Sequence, residues 1–234
     1  MAVHLVGVRI TFYICRYFAD TIRHVGGLPR VVRADRGTEN GNTDMIQNTL
    51  RSANRDIRAL TNTTFMYGRS TSNQRIESWW SRFKPAGMQA WIDHFKELDN
   101  AGVIDTSNLL HIDCIRFCYI SLLRQEILNI AILWNTHHIR YNPHSACPSG
   151  RPDFIYNFPD AYGCHNHICH FDVNNLNILA DLLAYNVSDV DADNSELFNL
   201  LLDEGNRQIP TSMEEASYTL AYMLDRIDYY NTQI

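Results

Sequence analysis

The stretch YGRSTSNQRIESWW, residues 67–80, constrains this chain more than any other. It opens on Ser70, Thr71, Ser72 and Asn73, small polar residues able to cap a helix by bonding its free N–H groups. Ile76, Trp79, Trp80 and Phe83 then follow at i, i+3, i+4 and i+7, which predicts a helix with one buried face. Glu77 sits in the first two turns, flanked by Arg75 and Arg82. A lone helical carboxylate is most often a solvated surface group, so Glu77 gains meaning only from a partner.

Upstream, residues 3–14 alternate loosely (Val6, Val8, Ile10, Phe12, Ile14), which is a strand pattern, and residues 17–24 suit a short helix closed by Gly26-Gly27. Pro29 precedes a second strand, RVVRA, which ends at Asp35. Gly37 turns the chain, and Thr38, Asn40 or Asn42 can cap a helix over 45–52. A short strand at 63–67 leads into the opening motif, and Pro85 with Gly87 is expected to kink the helix behind it. A strand-end Asp and a carboxylate on a nearby helix can converge on a divalent cation such as Mg²⁺, which takes hard oxygen ligands. Two such ions can activate a nucleophile and stabilise the leaving oxygen of a phosphodiester.

Downstream, Trp91, Ile92, Phe95 and Leu98 mark an amphipathic helix with Gly102 past its end. Residues 107–138 hold no Gly or Pro and keep helical spacing. The apolar run at 109–134 is interrupted by Asp113, Arg116, Arg124, Gln125, Glu126 and Asn129, so it is read as a buried helix and no membrane partner is expected. After Phe171 come three acidic amphipathic segments, VNNLNILADLLAY, SELFNLLLDE and MEEASYTLAYMLDRIDYY. The division expected from this is a core over 1–160 and an acidic helical region over 161–234.

Several residues together carry a resemblance. VVRADRGTEN followed by STSNQRIESWW is similar to the integrase core of retroviruses and related transposable elements, closest to the versions found as host genes in animals. The match runs through Asp35-Arg36-Gly37 and Ser72-Asn73-Gln74-Arg75-Ile76-Glu77. Further on, WNTHHIR and CPSGRPDFIY look like that family's helix end and Gly-x-Pro segment. The resemblance implies an α/β, RNase H-like fold, here lacking its opening strands, and a DNA-integration (polynucleotidyl transferase) lineage. It implies Asp35 and Glu77 as the second and third catalytic, metal-holding carboxylates for Mg²⁺ or Mn²⁺, and Lys84 as a DNA-contacting base. Arg69, Arg75 and Arg82 join Lys84 as nucleic-acid-binding candidates. The first ligand belongs on an opening strand. Before Asp35 the only acidic residue is Asp20, in a segment matching the helix, so the chain as given is expected to be inactive in strand transfer. A third ligand supplied elsewhere, or a protein-assembly role, is the alternative. Without the opening strand, a strand edge is expected to lie open unless residues 3–14 or a partner covers it, which would favour a homo-oligomer.

Charge is consistent with a DNA partner. Residues 1–100 hold 14 Lys+Arg against 9 Asp+Glu and residues 101–234 hold 6 against 17, within a net charge of −6. The basic residues of the first half are nearly all Arg, suited to bidentate phosphate contact. Six scattered cysteines without a recognisable leader predict reduced thiols and an intracellular, nuclear location. Cys114 and Cys118, one helical turn apart, are expected to be buried. The cluster Cys164-His165-Asn166-His167-Ile168-Cys169-His170 has zinc-compatible side chains in no common zinc spacing, so zinc is not expected. Asp189, Asp191 and Asp193 lack the Gly and Glu that complete a calcium loop. Trp79, Trp80 and Trp91 are expected in the core rather than as base-stacking platforms.

Overall fold

The computed structural model describes residues 2–37, 40–61, 63–68, 74–144, 148–183 and 189–233. They form two compact units that interleave along the chain. The first joins Met1–Trp79 to Phe158–Val187, and the second joins Trp80–Asn157 to Ser188–Ile234. No single cut in the sequence separates them.

The first unit opens with helix α1, Ala2–Val25. Residues 3–14 therefore lie in a helix and not in the expected strand. Their apolar positions fit both periods, and no Gly or Pro between Val8 and Val25 stops a helix that starts early. Gly26, at φ 71°, ends α1 in the left-handed region, its N–H bonding Ile22 O. Strand β1, Val32–Asp35, leads to α2, Gly41–Ala53, then a single helical turn α3, Ile57–Leu60, and strand β2, Phe65–Gly68. The segment after Phe158 returns to this unit. Leu28 and Cys169 exchange two backbone hydrogen bonds of 2.8 Å, and Ile168 packs where a side chain at Gly27 would stand. Helix α8, Val173–Leu183, closes the core of Cys15, Ala19, Ile22, Leu28, Ile46, Leu50 and Leu176.

β1 and β2 pair in parallel, Val32 opposite Phe65 and Asp35 opposite Gly68. Among the described residues this pair is the whole sheet, so the protein is mostly helical and the α/β character is confined to one βαβ step. The far edge of β1 carries no strand partner among those residues, since the segment expected to cover it is helical.

Inside this unit Arg51 is almost fully buried. Its guanidinium bonds Pro29 O at 2.9 Å, Arg30 O at 3.0 Å and the Asp56 carboxylate. Gln47 adds a bond of 2.8 Å to Pro29 O. The backbone just before β1 is therefore clamped to α2 by side chains that no hydrophobic pattern reveals.

The second unit is helical. α4, Gln74–Phe83, begins in the first unit, enters the second at Trp80 and runs into a wide turn at Lys84–Met88, where Gly87 leaves helical geometry, the kink expected of Pro85 and Gly87. Then come α5, Gln89–Asn100, and α6, Leu109–Thr136, the latter capped by the Asn108 side chain. After α7, Pro152–Asn157, the unit resumes with α9, Ala192–Glu204, and α10, Met213–Asn231. The three acidic segments fold as the expected helices, but only the last two lie in this unit. Phe198, Leu201, Leu202, Leu220, Met223 and Ile227 share one core with Cys114, Cys118 and Tyr119 of α6.

Two polar groups lock this core. Asp113, 6% exposed, accepts from Arg116 at 3.0 Å and from Asn194 at 2.9 Å, tying α6 to the start of α9. His94 Nε2 lies 3.0 Å from the Tyr119 hydroxyl, which lies 3.1 Å from Ser217 Oγ, so α5, α6 and α10 meet at one hydrogen-bonded knot.

α6 departs from the buried helix expected of it. Leu128, Ile132 and Leu133 are more than half exposed, and of the residues of α6 itself only Asp113, Cys114, Cys118, Tyr119 and Ile130 are buried. By length and composition α6 is long and apolar enough to cross a membrane, although its N-terminal half packs in the core described above.

Candidate nucleic-acid and metal site

Asp35 is the last residue of β1, and its side chain is exposed. Asn40 occupies the N-cap position of α2 but makes no capping bond. It donates instead to Asp35 Oδ1 at 3.4 Å, across the Gly37 turn. The register places Gly68 beside Asp35, and β2 is the strand that runs on towards α4.

Behind this turn a hydrogen-bonded chain fixes β2 to α2. Thr64, fully buried, donates to Asn48, Asn48 donates to Asp44, and the Tyr67 hydroxyl donates to the other Asp44 oxygen at 3.0 Å. Burial, then the bond to Asp44, raises the Tyr67 pKa, so this hydroxyl keeps its proton. Arg36, Gly37, Gly41 and Tyr67 line a concave surface of about 470 Å³ next to Asp35.

Glu77 lies in the first turn of α4, exposed, in the same compact unit as Asp35. Neither carboxylate takes part in an ion pair among the described residues. The helix around Glu77 is less buried than its spacing predicts: Ile76 is 46% and Trp80 48% exposed. Trp80 meets Phe83 edge-on at 5.5 Å, one turn along the same helix, a local contact that leaves about half of the indole open. Of the three tryptophans expected in the core, Trp91 packs against it and Trp80 does not.

The basic candidates divide. Arg82 stands in the last turn of α4 with its guanidinium 5.4 Å from the Trp134 ring centre, and Lys84 is exposed at the start of the wide turn. Arg69 and the capping residues Ser70–Asn73 lie outside the described residues, as does the side chain of Arg75. Arg33 is a further exposed cation beside the site that the motif reading passed over; its alternation with Asp35 along one strand was the available signal.

Carboxylate oxygens are the hard donors that Mg²⁺ or Mn²⁺ takes, and Asp35 and Glu77 supply them. The donor type fits such an ion. Among the described residues, however, no three His, Cys, Asp or Glu side chains gather closely enough to hold a metal, the 164–170 cluster included.

A strand ending in a carboxylate, a glycine turn, a helix, a second parallel strand and a helix bearing another carboxylate define a βαβ-built protein with an acidic strand-end site. The integrase core domain family matches this chain over residues 10–149, and the chain belongs to that family, with the RNase H-like fold that membership implies. No curated protein and no solved structure matches it. Integrase core domains commonly use divalent metals. The match ends before α9 and α10, yet these helices share a core with matched residues of α6.

Proposed function

We propose that this chain is an integrase-derived nucleic-acid-binding protein, acting in the nucleus on DNA, and that Asp35 and Glu77 descend from a divalent-metal site. The observation that carries this is the wiring of the matched region. Asp35 closes β1 next to β2, β2 runs on towards the helix bearing Glu77, and neither carboxylate is in an ion pair among the described residues. Arg33 and Arg36 flank Asp35 in sequence, and Arg82 and Lys84 follow Glu77 along the chain. The chemistry of a bound Mg²⁺ would be polarisation of a phosphodiester and activation of its attacking oxygen. What the chain's own residues supply is two ligand carboxylates and a set of phosphate-pairing cations.

Two carboxylates hold an ion less firmly than three, so the function we assign is binding rather than strand transfer. In a salt titration with labelled duplex DNA, log K is expected to fall linearly with log salt concentration, at about 0.9 per phosphate neutralised. Charge reversal at Arg75 and Lys84 is expected to weaken binding to all sequences alike. A flat titration would reject the proposal. In a Mn²⁺-supported strand-transfer assay the chain is expected to remain at background. Activity abolished by Glu77→Gln would instead establish the catalytic alternative.

A further inference from the structure

Burial alternates along β1. Val32 and Ala34 are half-buried, and Arg33 and Asp35 are exposed on one face. The register sets Arg33 opposite Met66 and Asp35 opposite Gly68. The exposed Arg33 side chain turns the Nε–Nη2 edge of its guanidinium towards Gly68. A side-chain carbon at Gly68 would come within 3.0 Å of Nε and of Nη2. Glycine at 68 leaves the room for this seat. Arg33 has no carboxylate partner among the described residues, whereas Arg16, Arg23 and Arg51 of the same unit are ion-paired. On the other side of Asp35, Arg36 lines the concave surface with Gly37, Gly41 and Tyr67.

We propose that Arg33, seated on Gly68, is a phosphate-binding residue that with Arg36 brackets Asp35 along the nucleic-acid backbone. The inference rests on the nucleic-acid reading above and names a contact that reading lacks. An exposed arginine ordinarily loses rotamer freedom when it grips a phosphate. One already held edge-on against a strand has lost much of it beforehand, and its Nη1 end keeps N–H groups for the phosphate oxygens. Cations on both sides of Asp35 also offset the repulsion between that carboxylate and an approaching phosphate.

The test is fluorescence anisotropy of the full chain with a labelled 30-mer DNA duplex from about 50 to 300 mM KCl. The variants are Arg33→Gln, Gly68→Ala, and Arg55→Gln as an exposed arginine of equal charge change, each checked for folding by circular dichroism. Arg33→Gln is expected to weaken binding about tenfold and to lower the salt slope by about 0.9, the loss of one phosphate contact. Arg55→Gln is expected to leave the slope unchanged. Gly68→Ala keeps every charge but displaces the guanidinium, and is expected to bind more weakly than wild type. An unchanged slope in Arg33→Gln overturns this inference while leaving the nucleic-acid reading intact. Equal losses in Arg33→Gln and Arg55→Gln overturn it as well, since bulk charge alone would then account for both. Wild-type affinity in Gly68→Ala removes the role of the seat. No binding by the wild-type chain defeats the function reading, and this contact with it.

Discussion

Arg51 shows most directly how single residues set the geometry near the site. Its guanidinium is enclosed with Asp56 and the carbonyls of Pro29 and Arg30. Removing one member of a buried ion pair leaves the other uncompensated, at about 3–5 kcal/mol. Arg51→Ala is therefore expected to destabilise the first unit by about that amount in urea titrations. The cysteines give a second outcome at this scale. Burial pushes the Cys118 thiol up to about 12 and Cys15 to about 11, and Cys114 is shifted in the same direction by burial. Thiolate is the reactive form, so at pH 8 these three should resist alkylation until the protein unfolds, while exposed Cys164 reacts at once. Timed labelling with peptide mass spectrometry distinguishes the classes. That Cys114 and Cys118 are buried was legible from their one-turn spacing in an apolar helix. That Arg51 is buried was not, because an arginine reads as a surface group until its partners are known.

At the scale of elements, the long periodic helices were legible: α6 and α10 fall close to where their spacing predicts, and Pro85-Gly87 kinks the chain. Residues 3–14 were not, since loose alternation does not distinguish a strand from the first turns of an amphipathic helix. Nor does periodicity reveal where α5, α6 and α10 join, at His94, Tyr119 and Ser217. Burial holds the His94 imidazole below its ordinary value of 6.5, against the opposing pull of Glu97. The unfolded chain then binds the proton more readily than the folded one. The His94 contribution to stability is thus fully present above about pH 6.5 and is lost as pH falls below it. Denaturation midpoints at pH 7.5 and pH 5 should differ more for wild type than for His94→Gln.

At the scale of the molecule, charge follows the compact units. The first holds 11 Lys+Arg against 9 Asp+Glu, and the second 9 against 17. The cationic candidates Arg82 and Lys84 fall in the acidic unit. The last two acidic helices are integral to that unit. A chain ending at residue 187 would lose nine apolar side chains, from Val190 to Ile227, from its core. At about 1.5–3 kcal/mol each, the loss exceeds the stability of an ordinary domain. Such a truncation is expected to unfold α5 and α6, seen as lost ellipticity and as Cys114 and Cys118 becoming reactive. The first unit, whose core of α1, α2 and α8 is retained, is expected to keep its cooperative melt.

The sequence by itself determined the family, the strand-end position of Asp35, the helical position of Glu77 and the helical character of the acidic segments. All of these depend on residue order over short windows, where turn chemistry and hydrophobic period act. Only the tertiary structure decided that α8 returns to the first unit while α9 and α10 complete the second, and that Arg33 lies on Gly68. Apolar faces do not encode their partners, because burial rewards any well-packed apolar neighbour, and which neighbour is available depends on the path of the whole chain.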